Sequence, residues 1–346
     1  MTLEYTLDQM IQQIHALPAI QAKRDIQTVS HLLAHDDDIH DLTSRYALPG
    51  DDCAAIASGA GYQLLAMEGM LPSFVQAAPW FSGWSAVMAN VSDIAAMGGR
   101  ATAIVNAFWH HDEDSAREIM RGIRDACRAY GLILAGGHSS MGAHVSANLA
   151  VGIMGYAHKL LSTFHVEPNQ CIAMAVDLNG QWHANTAYWK AFEGKADKVL
   201  RAQLEVIPTL TEAGHLLAAK DISNAGILGT LIMLLETTGC GAEINLDALP
   251  CPEGVDLLRW LQIFPSYGFL FTLSKTDLPT VIDAFAAEGI TCGAIGQTTM
   301  DGKVHLTHQG HRALFWNLRT QPFTGFSYTA KPTLKPKEPH HARCQL

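Results

Sequence analysis

Two spacings of apolar residues alternate along the chain, and they predict alternating helices and strands. "FSGWSAVMANVSDIAAMGG" (81–99) and "DEDSAREIMRGIRDACRAYG" (112–131) read as helices. The second has acidic residues in its first turn, arginines later and Gly131 as a stop. Between and around them lie short apolar runs bounded by glycine. "CAAIAS" and "YQLLAME" are joined by "GAG" as a hairpin, and "ATAIVNAFWH", "LILAGG" and "HVSANLAVGIMGYA" read as further strands. Residues 8–34 predict one or two helices broken at Pro18, followed by a solvated acidic loop, "AHDDDIHD".

The same textures return after "HKLLSTFHVEPNQ", where charge and a proline interrupt the apolar pattern near 158–168. A strand "CIAMAVDLNG", helices around 184–204 and 209–218, a strand "AEINL" and a strand running into a helix, "YGFLFTLSKTDLPTVIDAFAAEG", make a second unit. The fold class expected is therefore α/β (α+β) in two domains, 1–160 and 165–330, with a disordered Pro-rich, basic tail over 331–346.

Composition narrows the function. With 48% hydrophobic and 16% charged residues the chain is globular, and its formal net charge of −10 leaves no basic face to follow a nucleic acid. Its longest apolar stretches fall short of the roughly 20 residues a membrane helix needs. Seven scattered cysteines (53, 127, 171, 240, 251, 292, 344), odd in number and without a C-x-x-C pair, fit a reducing cytoplasm better than a disulfide framework. The beginning of the sequence lacks the basic start and apolar block of a signal peptide.

Five spots share one grammar, a small residue beside an acidic or imidazole group at the mouth of a predicted element: "GDD" (50–52), "MEG" (67–69), "VSD" (91–93), "GGHS" (136–139) and "KDIS" (220–223). Each alone is compatible with a turn or a helix flank. Together they offer the hard oxygen ligands that suit Mg²⁺, beside glycines that let a phosphate approach the backbone.

In this order the motifs resemble the AIR synthase-related superfamily over about residues 45–300. That superfamily includes aminoimidazole ribonucleotide synthetase, thiamine-monophosphate kinase, selenophosphate synthetase, the hydrogenase maturation dehydratase and formylglycinamidine synthase. "PGDDCAAI" is similar to its "GDDAAV", "NVSDIAAMGG" to its "NLSDIAAMGG", "LILAGGHSS" to its "AGGHS", and "KDISNAGILGTLIMLLETTGCGAEI" to its second-domain segment. The resemblance implies an N-terminal domain that makes a homodimer through its mixed sheet, a C-terminal α/β sandwich domain, and ATP with Mg²⁺ in the cleft between them.

Carried over, it implies Asp51, Asp52, Glu68, Asp93 and Asp221 as metal ligands, with Glu68 replacing a family aspartate. Asn90, Gly136, Gly137, His138, Ser139 and Asp221 would lie along the nucleotide, and Lys23, Asp51 and His138 are the catalytic candidates. The implied activity is an ATP-dependent phosphotransferase or synthetase activating a small polar metabolite; the alternative is a non-catalytic nucleotide-binding subunit. The family's "DISDG" reads "DISNA" here, with Asn224, no cysteine precedes Cys53, and Cys344 is followed by Gln345 and Leu346. These departures point away from thiamine-phosphate kinase, selenide and terminal-cysteine chemistry.

Overall fold

A computed structural model describes residues 5–30, 49–142, 144 and 146–327. The acidic loop at 34–41, the tail from 331 and Cys344 lie outside the described residues.

Two helices come first, α1 (Leu7–His15) and α2 (Pro18–Asp25). Thr6 and Gln9 close a capping box on α1, and Pro18 takes the first turn of α2, where its missing N–H costs nothing. The hairpin β1 (Ala54–Ser58) and β2 (Gly61–Met70) follows, then α3 (Pro72–Ala77) and α4 (Pro79–Ala96). Next come β3 (Arg100–His110), α5 (Glu113–Tyr130), β4 (Ile133–Met141) and β5 (Asn148–Ala157). The five strands form one mixed sheet in the order β1-β2-β5-β3-β4. Alternation along β2 turns Leu64, Ala66 and Glu68 toward the core and leaves Leu65 and Met67 exposed.

In the second half β6 (Cys171–Val176) leads to the short strands β7 (Gln181–Trp182) and β8 (Tyr188–Lys190). Then follow α6 (Asp197–Ala213), β9 (Ala218–Asp221), α7 (Gly226–Glu236) and β10 (Gly241–Asn245). The remaining elements are α8 (Leu257–Trp260), β11 (Phe264–Pro265), β12 (Gly268–Leu273), α9 (Leu278–Ala287), β13 (Thr291–Thr299), β14 (Lys303–His308) and β15 (His311–Asn317). Seven of the strands make a sheet ordered β15-β14-β10-β13-β6-β12-β9. Every residue of β6 and β12 is buried, so apolar side chains cover this sheet on both faces.

The expected helices around 184–204 and 209–218 are corrected. Residues 188–190 are a strand paired with β7 and β11, and one helix runs from 197 through Pro208 to 213. Leu200, Val206, Ile207 and Leu210 keep one buried stripe across the proline, and that packing outweighs the local break. The expected strand "LILAGG" also continues to Met141, so "GGHS" lies inside β4 rather than at its mouth.

The halves share apolar contacts. Ala95 and Ala96 of α4 belong to the same cluster as Ala173, Ala175, Phe269 and Phe271. Arg100 reaches across to Glu205 at 2.6 Å and Glu212 at 2.5 Å. α4 thus carries "VSD" to the end of β9, where "KDIS" begins.

Candidate functional site

The site begins at Gly50, whose φ of +135° favours glycine and where a Cβ would stand 2.6 Å from Thr237 Cγ2. The two aspartates that follow have different partners. Asp51 accepts from Ser162 Oγ at 2.6 Å and from Thr163 N at 2.6 Å and Oγ1 at 2.7 Å, so both its oxygens hold the turn at 163–165. Burial raises its pKa against those hydrogen bonds. Asp52 turns the other way, toward β9.

There, one oxygen each of Asp52, Asp93 and Asp221 lies within 4.8 Å of the others. Asp93 and Asp221 are 7% and 6% exposed. Burial first, then the charges of Asp221, Glu68 and Asp52 on Asp93 and of Asp52 and Glu68 on Asp221, holds both well above the ordinary carboxylate range. Asp93 Oδ2 is buried with no hydrogen-bond partner. Glu68 is raised by burial and by Asp52, and lowered by Lys23. A hard divalent cation fits this donor set: three carboxylates close enough to share it and one buried oxygen that lacks a donor.

Sequence reasoning missed Lys220. The residue is 4% exposed on β9 and its Nζ donates to Asp52 Oδ1, while Asp221 N donates to Asp52 Oδ2 at 3.3 Å. The only signal was the lysine in "KDIS". Cys53, 5% exposed beside these groups, is kept a neutral thiol by burial and by the surrounding carboxylates.

The structure gathers some expected site residues and leaves others apart. Asp52, Asp93 and Asp221 form the cluster, and Glu68 and Lys23 act on it through charge. Asp51 is engaged elsewhere, which departs from the expectation that both aspartates share one ion. Asn90 is buried within α4 and its amide donates to Ala86 O at 2.7 Å and Val151 O at 3.0 Å, tying the helix to the sheet.

Gly136, Gly137, His138 and Ser139 lie on the edge strand β4. Glu68 pairs with Val151, Val151 with Asn106, and Asn106 with Gly137, so Glu68 and Gly137 stand in one row across the sheet. Three strand spacings separate them, about 14 Å. A Cβ on Gly137 would lie 2.0 Å from Asn106 O, which leaves bare backbone there. His138 sits against Trp109 with ring centroids 5.9 Å apart.

A two-domain α/β fold with an acidic cluster where its halves meet defines the class, and comparison with known proteins gives the family. The N-terminal domain of AIR synthase related protein matches residues 50–157 and its C-terminal domain matches residues 131–309, and the chain belongs to this family. An uncharacterized protein of Synechocystis sp. is 40% identical over 279 residues, covering 80% of this chain and 86% of that protein. A selenide, water dikinase of Sulfurovum sp. is 26% identical over 289 residues, covering 72% and 84%. Among solved structures, AaThiL complexed with AMPPCP and TMP shares the fold at a TM-score of 0.60 and 17% identity, over 80% of this chain and 93% of that one. T. maritima PurL complexed with ADP does so at 0.69 and 13%, over 93% and 54%.

Among the described residues no helix is long and apolar enough to cross a membrane.

Proposed function

We propose that this protein is an ATP-dependent phosphotransferase or synthetase that activates a small polar metabolite. The observation that carries the reading is the buried Asp52–Asp93–Asp221 cluster with its unpartnered Asp93 oxygen. In this reading Asp52, Asp93 and Asp221 hold Mg²⁺, with Glu68 beside them. The bound ion would supply charge neutralisation for phosphoryl transfer. Lys23 brings a positive charge near Glu68 and Asp221, suited to orienting phosphate oxygens. The nucleotide runs along the row from Glu68 toward the bare backbone at Gly136–Gly137, with His138 and Ser139 at its far end. Related structures complexed with AMPPCP, ADP and ATP support the nucleotide.

The experiment is a screen for ADP release against pooled metabolites, with and without Mg²⁺. Metabolite-dependent release that requires Mg²⁺ and falls at least a hundredfold in Asp221→Asn is expected. Nucleotide binding without any metabolite-dependent release would overturn turnover in favour of a binding subunit.

The same reading includes a homodimer. The uncovered face of the five-stranded sheet exposes Leu65 (53%), Met67 (70%), Val105 (49%) and Met154 (43%), more apolar surface than a monomer's sheet usually presents to water. Light scattering should give twice the chain mass for wild type and the chain mass for Met67→Glu/Met154→Glu; a monomeric wild type would contradict this assembly.

A further inference from the structure

Lys220 is paired unlike the half-buried Lys195. Lys195 donates to Asp177 Oδ2 and to Gln203 Oε1 at 3.3 Å, while Asp177 also accepts from Asn179 N at 3.0 Å and from Gln203 Nε2 at 3.3 Å. That network serves both carboxylate oxygens and gives the ammonium a second acceptor. Lys220, although more deeply buried than Lys195, has one side-chain acceptor among the hydrogen bonds of the described residues, Asp52 Oδ1. Its ammonium carries three donors. Close by, Asp93 Oδ2 is buried with no donor at all.

The charges are equally mismatched. One ammonium faces Asp52, Asp93 and Asp221, three carboxylates within ligand distance of one another. Lys220 hydrogen-bonds only one of them, and Lys23, whose charge also reaches Asp221, makes no hydrogen bond to the cluster among the described residues, so three clustered carboxylates share two ammonium groups, and incompletely compensated buried charge is costly. The backbone of Lys220 is fixed, since β9 pairs it with Leu270 of β12, but its four-carbon stem can swing without moving the strand.

We infer that Lys220 is an exchangeable counter-ion: it holds Asp52 in the absence of a divalent cation, yields that oxygen when the cation binds, and then serves the anion that arrives with it. This rests on the metal-nucleotide reading above. It makes cation alone a competitor of Lys220, and cation with a polyphosphate its collaborator, so the two ligands are coupled through one side chain.

The test is titration of Mn²⁺ into the full chain, followed by its paramagnetic signal, with and without ATP. In Lys220→Met, Mn²⁺ alone should bind at least tenfold more tightly than in wild type, while the enhancement of Mn²⁺ binding by ATP should shrink at least tenfold. In Lys220→Arg, whose guanidinium can grip a carboxylate with two hydrogen bonds, Mn²⁺ alone should bind severalfold more weakly. A lysine that only supports the fold predicts weaker binding in both variants, and that result, or unchanged affinity in both, overturns the inference. If the methionine variant does not fold, equal or tighter binding in the arginine variant overturns it alone. Absence of Mn²⁺ binding to wild type would instead sink the metal-site reading on which it rests.

Discussion

Two buried carboxylate sites in this molecule differ in how many donors surround them. Glu236, the last residue of α7, is 2% exposed. Its Oε1 accepts from Phe323 N at 2.6 Å and Gly325 N at 3.1 Å, and its Oε2 from Thr324 N at 2.8 Å and Oγ1 at 2.6 Å. The chain around it supplies all that a carboxylate can use. At the acidic cluster, Asp93 is nearly as buried, yet one of its oxygens has no donor, and one carboxylate oxygen each of Asp52 and Asp221 lies within 4.8 Å of an Asp93 oxygen. Burial alone does not separate a structural acid from a ligand-binding one; the count of donors does. Asp51 belongs with Glu236 by this measure, although it adjoins Asp52 in sequence.

The contrast predicts opposite responses to removing charge. Glu236→Ala strands three backbone N–H groups, each costing roughly 1–3 kcal/mol. Chemical denaturation should therefore show a loss of about 3–5 kcal/mol; a loss below about 1 kcal/mol would break the comparison. Asp51→Asn keeps the shape but weakens the charge-assisted bonds to Ser162 and Thr163, and should cost about 1–3 kcal/mol. Its Mg-ATP affinity should stay close to that of wild type. Asp93→Asn should do the reverse in EDTA, leaving stability unchanged or raising it by about 1 kcal/mol, because it relieves like-charge repulsion.

The smallest effect is on pH dependence. Asp51, Glu68, Asp93 and Asp221 all have folded pKa values raised above the ordinary carboxylate range. The folded state then binds more protons than the unfolded one, so the stability they contribute is complete at acid pH and is lost as pH rises through the raised values. Melting temperature in EDTA should fall as pH rises above the ordinary carboxylate range, and Mg²⁺ should flatten that fall. A melting temperature that rises over this range in EDTA would contradict the assigned environment.

Much of the frame was legible because it is local. The β1–β2 hairpin, α4 with its "VSD", and α5 follow from periodicity and turn residues within a few positions. Nothing local marks which aspartate of "GDD" joins the acidic cluster. That is decided by Ser162 and Thr163, more than a hundred residues away, and by Lys220, 168 positions away. The run "GGHSSM" has no apolar alternation to show as a strand, since β4 is an exposed edge held by backbone pairing to β3. The anchoring of 323–325 by Glu236 is likewise invisible in sequence, because a glutamate ending an apolar helix reads as a solvated charge.

In the proposed site Asp52 and Asp93, and not Asp51, hold the cation that brings in the nucleotide. Calorimetric titration of Mg-ATP into wild type and into Asp52→Asn/Asp93→Asn, with Asp51→Asn as the adjacent control, tests it most directly. The double variant should lose on the order of tenfold to a thousandfold in affinity while keeping its fold in EDTA, and the control should bind nearly as wild type does. Unchanged affinity in the double variant, or an equal loss in Asp51→Asn, would contradict it.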